Sequence, residues 1–256
     1  MTSRRTLVTG AASGIGAALA GRLADAGEEV VGVDRRAGDG IIACDLSDES
    51  AIAALARECG AVDAIAHVAG VPGTFDPASI VRVNFLAIRQ LSDALHDALM
   101  RADRPAIVSV SSITAHRCDL PDARLAELVD APAAEIQREA ATMDGTAAYA
   151  FSKKLLNVWT KVQAARLIGA GCRVNAVAPG PVETAILDDF RRSMGADRIA
   201  AAEKLAGRHG TPDEIAAAIQ FLLSPAARWV NGVVLDCDGG FGAARFVNSI
   251  EQEGTR

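Results

Sequence analysis

Long apolar runs, aromatic side chains and export signals are scarce or missing in this sequence of 256 residues. No stretch approaches the roughly 18 unbroken apolar residues that a membrane-spanning helix requires. The N-terminal segment lacks the apolar region and cleavage site of a secretory signal, so we expect a cytoplasmic protein with no membrane partner. Aromatic residues make up 4% of the chain although 50% of it is hydrophobic, which predicts a core of Ala, Val, Leu and Ile.

Acidic residues outnumber basic ones, since the chain has 32 Asp and Glu but 26 Lys and Arg, which gives a net charge of −6. This balance disfavours nucleic acid as a partner, because binding to it needs a basic face. The four histidines form no cluster or H-E-x-x-H pattern, and we predict no metal site. The five cysteines are odd in number and widely spaced, which is typical of buried thiols in a reducing compartment.

Short apolar runs alternate with longer Ala- and Leu-rich segments of helical periodicity along most of the chain. This order is typical of a parallel sheet that helices cover on both faces. We predict one α/β domain over residues 1–256, with a Rossmann-type doubly wound parallel sheet. The predicted strands are 6–9, 29–34, 41–44, 64–68, 106–111, 173–177 and 233–235, and the predicted helices are 15–26, 49–59, 79–101, 148–168 and 213–223.

Residues 117–145 interrupt this alternation. Asp119 before Pro121 and Asp130 before Pro132 indicate two helix starts with proline near the first turn. The segment is predicted to be a helical insertion, either a wall or lid beside a site or a surface addition without function. If it is a wall, the apolar residues expected to face the substrate are Leu125, Leu128 and Met143. His116, just before the insertion, is the nearest polar candidate for a substrate contact.

A glycine-rich loop, T-G-A-A-S-G-I-G at residues 9–16, follows the first predicted strand. Gly10 permits a tight turn, Gly14 permits close approach of a phosphate, and Gly16 lets the next helix pack on the sheet. The N-terminus of that helix offers unpaired N–H groups and the positive end of its dipole to a pyrophosphate. The loop predicts a dinucleotide site that includes Gly10, Ser13, Gly14, Ile15 and Gly16.

Asp34 ends the next predicted strand, 34 − 14 = 20 residues beyond Gly14. A carboxylate there accepts hydrogen bonds from both ribose hydroxyls and repels a 2′-phosphate, so the expected cofactor is NAD. Arg35 and Arg36 leave NADP open, because an arginine that turned inward could bind the extra phosphate. Further cofactor contacts are expected from Asp45 and Leu46 near the adenine and from Ala69 and Gly70 at a strand end.

Tyr149 is the only tyrosine, and Lys153, one of four lysines, follows it at the i, i+4 spacing that shares one face of a helix. Residues 9–16, Asn84, Ser112, Tyr149 and Lys153 together resemble the short-chain dehydrogenase/reductase family, and the resemblance covers nearly the whole chain. The segments N-A-V-A-P-G-P-V-E-T and V-V-L-D-C-D-G-G are also similar to the family's sixth and last strands with their closing turns.

The resemblance implies hydride transfer between NAD(H) and a secondary or aromatic-type alcohol or carbonyl. Tyr149 would be the general acid/base, and Lys153 would lower the pKa of the phenol and hold the nicotinamide ribose. Ser112 would orient the substrate oxygen, with Ser111 as its competitor, since neighbouring strand residues face opposite ways. Asn84 would anchor a water in a proton relay. The resemblance also implies cofactor contacts from Pro179, Gly180, Val182 and Thr184.

Two features depart from the family pattern. Many members have Asn-Asn-Ala-Gly where this chain has His67, Val68, Ala69 and Gly70, and they have a much shorter gap than the 149 − 112 = 37 residues between serine and tyrosine. The long gap resembles the branch that acts on hydroxysteroids, and the segments at residues 69–77, 178–190 and 228–232 are similar to the branch that acts on coniferyl alcohol. Two other functions stay open, a cofactor-sensing regulator without turnover and a sugar-nucleotide epimerase or dehydratase. The family further implies a homodimer or homotetramer.

Overall fold

The centre of the molecule is a seven-stranded parallel sheet, seen in a computed structural model that describes residues 3–195, 200 and 203–253. The strand order β3-β2-β1-β4-β5-β6-β7 confirms the predicted doubly wound fold. The order reverses between β1 and β4, where a crevice opens at the carboxyl ends of the strands. The strands are β1 (Arg5–Thr9), β2 (Glu29–Asp34), β3 (Ile41–Ala43), β4 (Ala64–His67), β5 (Ala106–Val110), β6 (Arg173–Pro179) and β7 (Val234–Cys237).

Each face of the sheet buries its own apolar core. Leu7 and Val8 are neighbours on β1 but belong to the cores on opposite faces, and Ile65 and Ala66 on β4 behave in the same way. Side chains alternate between the faces of a strand, so a strand buried on both sides must be apolar throughout. This explains why the predicted strands appear in the sequence as continuous apolar runs.

Helices cover both faces, and among the described residues none combines the length and the apolar character needed to cross a membrane. Helix α1 packs against α10 on one face, while α2, α4 and α8 lie on the other. The helices are α1 (Gly14–Asp25), α2 (Glu49–Cys59), α3 (Pro77–Val81), α4 (Ala87–Ala94), α5 (His96–Leu99), α6 (Asp122–Val129), α7 (Ala133–Ala140), α8 (Gly145–Arg166), α9 (Leu187–Met194), α10 (Pro212–Leu223) and α11 (Phe241–Glu253).

The helix predicted over 79–101 is not continuous. The structure divides it into α3, a π-helical segment (Arg82–Leu86), α4 and α5. Asn84 lies in the π-helical segment, and segments of this kind occur frequently at functional sites. Helices α9 and α11 were not predicted, because α9 is short and highly charged and α11 follows the closing turn of the last strand.

The insertion contains the two predicted helices, α6 and α7, but its apolar side chains face the core. Leu125 and Leu128 are fully buried in the same cluster as Trp159 of α8. The prediction that these two leucines face the substrate is therefore wrong. The predicted helix starts are also displaced, since Pro121 and Pro132 themselves occupy the positions before α6 and α7.

Polar groups fasten the insertion to the helices beneath it. Arg89 of α4 donates to the carbonyl oxygens of Val129, at 2.9 Å, and of Ala131, at 2.8 Å, and so satisfies the C-terminal end of α6. Asp130 forms an ion pair with Arg166 of α8, with one Oδ1–Nη1 distance of 2.8 Å. These contacts hold the insertion against the outer surface of α4 and α8.

Candidate active site

A cavity of about 880 Å³ runs along the carboxyl ends of the strands. Its volume lies in the range of small-molecule and cofactor sites. The predicted residues that line it are Gly10, Ser13, Gly14, Ile15, Gly16, Asp34, Asp45, Leu46, Ala69, Gly70, Ser112, Tyr149, Lys153, Pro179, Gly180, Val182 and Thr184. The structure thus brings together residues from the whole length of the chain, and it places Asn84 directly behind this wall.

The glycine loop fits tightly between β1, β4 and α1. Gly10 has a φ of 72°, and a Cβ there would lie 3.0 Å from the Cα of Ala69. A Cβ on Gly16 would lie only 2.1 Å from the carbonyl oxygen of Gly10, so no larger residue fits at that position. The hydroxyl of Thr9 accepts hydrogen bonds from the backbone N–H groups of Val68, at 3.0 Å, and Ala69, at 3.1 Å. These contacts fix the loop against the end of β4.

Helix α1 begins at the cavity wall with its N-terminus open to a ligand. The hydroxyl of Ser13, at the N-cap, makes no capping hydrogen bond, and the first turn contains no acidic residue. Asp34 accepts hydrogen bonds from the backbone N–H groups of Ala12, at 3.1 Å, and Arg35, at 2.7 Å, which hold its carboxylate at the cavity edge. Unpaired N–H groups beside a fixed carboxylate fit the pyrophosphate and ribose of a dinucleotide.

Tyr149 and Lys153 lie on the buried face of α8, where they are 5% and 4% exposed. The Nζ atom of Lys153 donates to the carbonyl oxygen of Val110 at 2.8 Å and lies 5.7 Å from the centroid of the Tyr149 ring. Burial lowers the pKa of Lys153 to about 8.

The pKa of Tyr149 differs from the prediction. Burial raises it to about 12, and the interaction with the Ser112 hydroxyl opposes this rise only in part. The expected lowering of the Tyr149 pKa by Lys153 is not seen. Burial removes the phenolate from water, and this destabilises it more than the neighbouring groups stabilise it. In the protein alone the phenol therefore keeps its proton at neutral pH.

The two serines after β5 have different partners. Ser111 is buried, and its single hydroxyl hydrogen is directed to the Oδ1 of Asn157, with the carbonyl oxygen of Lys153 as a second acceptor at 3.3 Å, both on α8. Ser112 begins a 3₁₀ segment (Ile113–Arg117), accepts a hydrogen bond from the Thr114 backbone N–H at 3.2 Å, and contacts the Thr114 hydroxyl. Since the Ser112 hydroxyl also interacts with Tyr149, this geometry favours Ser112 over Ser111 as the substrate-orienting group.

Asn84 supports the loop after β4. Its Oδ1 accepts from the Val71 N–H at 2.8 Å and its Nδ2 donates to the Val71 carbonyl at 3.0 Å. A Cβ on Gly70 would lie 3.1 Å from this Oδ1 and 3.5 Å from the Nζ of Lys153, so the asparagine and the lysine meet behind Gly70. The role of Asn84 in a proton relay stays a prediction.

His67 replaces the first asparagine of the family pattern. It is buried, its Nε2 lies 2.9 Å from the Ser92 hydroxyl, and burial lowers its pKa to about 3. The ring is therefore neutral and structural. The loop that the family's asparagines would hold is held in this chain by Thr9 and Asn84.

Sequence patterns did not predict several aromatic and basic residues that line the cavity. The Phe190 ring of α9 meets Tyr149 edge-on, with centroids 5.4 Å apart and an angle of 66° between the planes. The cavity is also lined by Phe75, Ile186, Leu187 and Phe241 and by Arg117 and Arg245. The only hint in the sequence was the mixture of apolar and charged residues in the segments of α9 and α11, which no periodic pattern assigned to a site.

His116 and Met143 were both predicted to contact the substrate, but only Met143 lies next to the cavity. His116 is exposed, and its Nε2 lies 3.9 Å from Asp236 on β7, so the structure does not support a substrate contact. Met143 packs in a small cluster with Ile80 and Tyr149, next to the cavity. Within residues 3–195, 200 and 203–253, no three His, Cys, Asp or Glu side chains are arranged to bind a metal ion.

Two family models match the chain, one described as Enoyl-(Acyl carrier protein) reductase over residues 133–242 and one as NAD dependent epimerase/dehydratase family over residues 6–153. Coniferyl-alcohol dehydrogenase from Pseudomonas sp. (strain HR199 / DSM 7063) is 33% identical over 94% of this chain and 97% of its own length. The 3-alpha-hydroxysteroid dehydrogenase/carbonyl reductase of Comamonas testosteroni is 35% identical over 93% of this chain and 96% of its own.

A solved structure agrees with these relatives. The 3-alpha-hydroxysteroid dehydrogenase of Pseudomonas sp. B-0831, complexed with NADH, is 36% identical and superposes with a TM-score of 0.83. The alignment covers 94% of this chain and 98% of that structure. With identities of this size over nearly the full length, the chain belongs to the short-chain dehydrogenase/reductase family of nicotinamide-dependent oxidoreductases.

Proposed function

We propose that this protein is an NAD-dependent dehydrogenase/reductase that transfers a hydride between NAD(H) and a secondary or aromatic-type alcohol or its carbonyl. The observation that carries the proposal is the convergence of Ser112, Tyr149 and Lys153 on the cavity that also contains the glycine loop. An acid/base, a cation and a hydrogen-bonding hydroxyl beside a dinucleotide site are the groups that this reaction needs.

When bound, the cofactor supplies the hydride donor or acceptor and, in its oxidised form, a positive charge on the nicotinamide ring. The N-terminus of α1 with Ser13 would hold its pyrophosphate, Asp34 the adenosine ribose, and Lys153 the nicotinamide ribose. Asp34 supports NAD as the cofactor. NADP is the alternative, since Arg35 also lines the cavity next to Asp34.

The chain's own residues would handle the proton. Ser112 hydrogen-bonds the substrate oxygen and holds it beside Tyr149, which donates its proton when a carbonyl is reduced and accepts one when an alcohol is oxidised. With a pKa near 12, the buried phenol is protonated and ready for the reductive direction. Oxidation of an alcohol needs Tyr149 as a phenolate, so its pKa must fall. Each unit of that fall corresponds to about 1.4 kcal/mol of added stabilisation of the phenolate, which the positive charge of Lys153 favours.

The cavity walls support a bulky, largely apolar substrate. Phe190 presents apolar surface next to Tyr149, and Phe75 and Ile186 also line the cavity. Two relatives are named for coniferyl alcohol and for a 3-alpha-hydroxysteroid, which are both ring-containing alcohols. We further propose a homodimer or homotetramer, which is supported by the exposed Phe221 and by Trp229, 97% exposed, before the edge strand β7.

The test is the change in absorbance of reduced nicotinamide with a panel of ring alcohols and ketones, measured with both cofactors. We expect turnover by the unmodified protein, a loss of at least about 100-fold in kcat for Tyr149→Phe, and nearly normal NADH binding by that variant. Ser111→Ala is the matched control for Ser112→Ala, and only the latter should lose activity. Binding of NADH without turnover would instead indicate a sensor, and conversion of a sugar nucleotide without net cofactor reduction would indicate an epimerase.

A further inference from the structure

Two arginines from separate elements line the outer part of the cavity. Arg117 ends the 3₁₀ segment that begins after Ser112, and Arg245 lies in the second turn of α11. Both side chains are exposed to solvent. Neither was assigned a role by the sequence motifs or by the proton chemistry of Tyr149.

The structure places these two arginines on the same side of the cavity. His116, which precedes Arg117, lies 3.9 Å from Oδ2 of Asp236, and a Cβ on Gly242 would lie 3.9 Å from the same oxygen. Gly242 is three residues before Arg245, close to one helical turn. The two chain segments that carry the arginines therefore meet at Asp236, at the end of β7.

This position is far from the expected site of a 2′-phosphate. Asp34, the last residue of β2, and Arg35 flank the expected adenosine ribose, whereas Asp236 lies on β7, the edge strand on the other side of the sheet. Four strands, β1, β4, β5 and β6, separate them. An anion bound by Arg117 and Arg245 would accordingly belong to the substrate and not to a 2′-phosphate of NADP.

Apart from Asp34, Arg35 and Asp45, the charged residues that line the cavity are Arg117, Lys153, Asp189 and Arg245, of which three are basic. Asp189 is engaged by Arg192 and by the Thr74 hydroxyl, the latter at 3.3 Å, and Asp236 lies 3.9 Å from the Nε2 of His116. The guanidinium of Arg245 lies 5.9 Å from the centroid of the Phe241 ring, which joins the basic edge to the apolar wall.

We infer that the preferred substrate is an amphipathic alcohol or ketone that carries a carboxylate away from its reacting oxygen, and that Arg117 and Arg245 bind this carboxylate. The inference rests on the proposed function. The reacting oxygen would lie at Ser112 and Tyr149, the apolar body against Phe190 and the carboxylate at the basic edge. A guanidinium has five N–H donors in a planar fork that matches a carboxylate, so each arginine can bind one and keep another partner.

The experiment compares each of two acids with its own neutral carboxamide. One acid is a ring alcohol with a carboxylate across the ring, and the other is a hydroxysteroid with a carboxylate at the end of its side chain. We expect the unmodified protein to prefer at least one acid by about 10- to 100-fold in kcat/KM, mainly through KM, as for hydrogen bonds to charged groups. The preference should disappear in R117Q/R245Q and return in part in R117K/R245K.

Arg57→Gln, which removes a charge from the exposed last turn of α2, is the control and should leave the preference unchanged. Turnover of the carboxamides reports on folding of the double variant, because the carboxamides need the same acid/base groups but no cation. Equal kcat/KM for acids and carboxamides in the unmodified protein, or a preference that survives in R117Q/R245Q, would overturn the inference and leave the proposed function intact. Failure of every alcohol tested would overturn both.

Discussion

The two ends of the cavity are built in different ways. At the nucleotide end, backbone groups and glycines at the carboxyl ends of β1 and β4 form the surface, and Gly10, Gly16 and Thr9 meet within a few ångströms. At the substrate end, side chains from the 3₁₀ segment, α9 and α11 form the walls, and these elements are distant from one another in sequence. The first kind of surface tolerates no added atom, whereas the second can change one side chain at a time.

The strongest test of this contrast is Gly16→Ala against Gly21→Ala in the same helix. A Cβ at position 16 would lie 2.1 Å from a carbonyl oxygen, while one at position 21 meets nothing within 4 Å. We expect Gly16→Ala to lose about 3 kcal/mol or more of unfolding free energy, or to lose NADH binding. Gly21→Ala should be neutral or gain up to about 1 kcal/mol. Chemical denaturation and NADH fluorescence would measure both, and equal behaviour of the two variants would contradict the packing argument.

Lys153 lies between the two ends, and its burial predicts a dependence of stability on pH. Because its folded pKa is lowered to about 8 from 10.5, the unfolded chain binds more protons between these values. This group should therefore raise stability with pH from about 8 to 10.5, by roughly 3 kcal/mol. Burial raises the pKa values of Cys59 and Cys172 to about 11, which opposes this rise above pH 9. Thermal melts at several pH values should therefore show a more positive dependence of stability on pH in the unmodified protein and in Lys154→Met than in Lys153→Met. If the stability of Lys153→Met depended on pH in the same way, groups other than Lys153 would be its cause.

At the nucleotide end, most of the cavity surface is backbone, and Asp34 is a side chain that can be changed there without altering the glycine loop. Asp34→Ala should narrow the preference for NAD over NADP by about tenfold or more, since the repulsion of a 2′-phosphate is removed. The matched control is Asp39→Ala on the following loop. Steady-state kinetics with both cofactors would measure the ratio. Equal efficiency with NADP in the unmodified protein would contradict the assignment and direct attention to Arg35.

The smallest effect is expected at the substrate end. Phe190→Ala removes the ring packed on Tyr149 and should raise KM for bulky ring alcohols by about tenfold, with small alcohols affected less. The NADH dissociation constant should stay unchanged, because Phe190 lies away from the glycine loop. Phe246→Ala, on the exposed surface of α11, is the control. If small and bulky alcohols suffered equally, Phe190 would be a support for Tyr149 and not a wall.

The sequence predicted the sheet, and the glycine-loop residues it singled out do line the cavity, because both depend on local patterns. Apolar strands, the spacing of Gly10, Gly14 and Gly16, and an acid at the end of β2 each have a physical cause that can be recognised within a few residues. Tyr149 and Lys153 could be paired because helical spacing alone places them on one face.

The substrate end could not be predicted in the same way. Phe190, Phe241 and Arg245 reach the cavity only through the three-dimensional packing of α9 and α11, and neither helix has a pattern that indicates this. The insertion was misread for a related reason. An apolar stripe shows that a helix buries one face, but not which surface covers it, and Leu125 and Leu128 proved to cover α8. The pKa of Tyr149 also depends on burial, which spacing does not give.

The packing of α6 and α7 has a consequence for any shortened form of the chain. These helices bury Leu125, Leu128 and Ile136 against apolar side chains that include Trp159, and none of these three residues lines the cavity. Deletion of residues 118–142 would expose the apolar surface of α4 and α8 to water. A shortened protein should therefore aggregate or bind a second copy that covers this apolar surface.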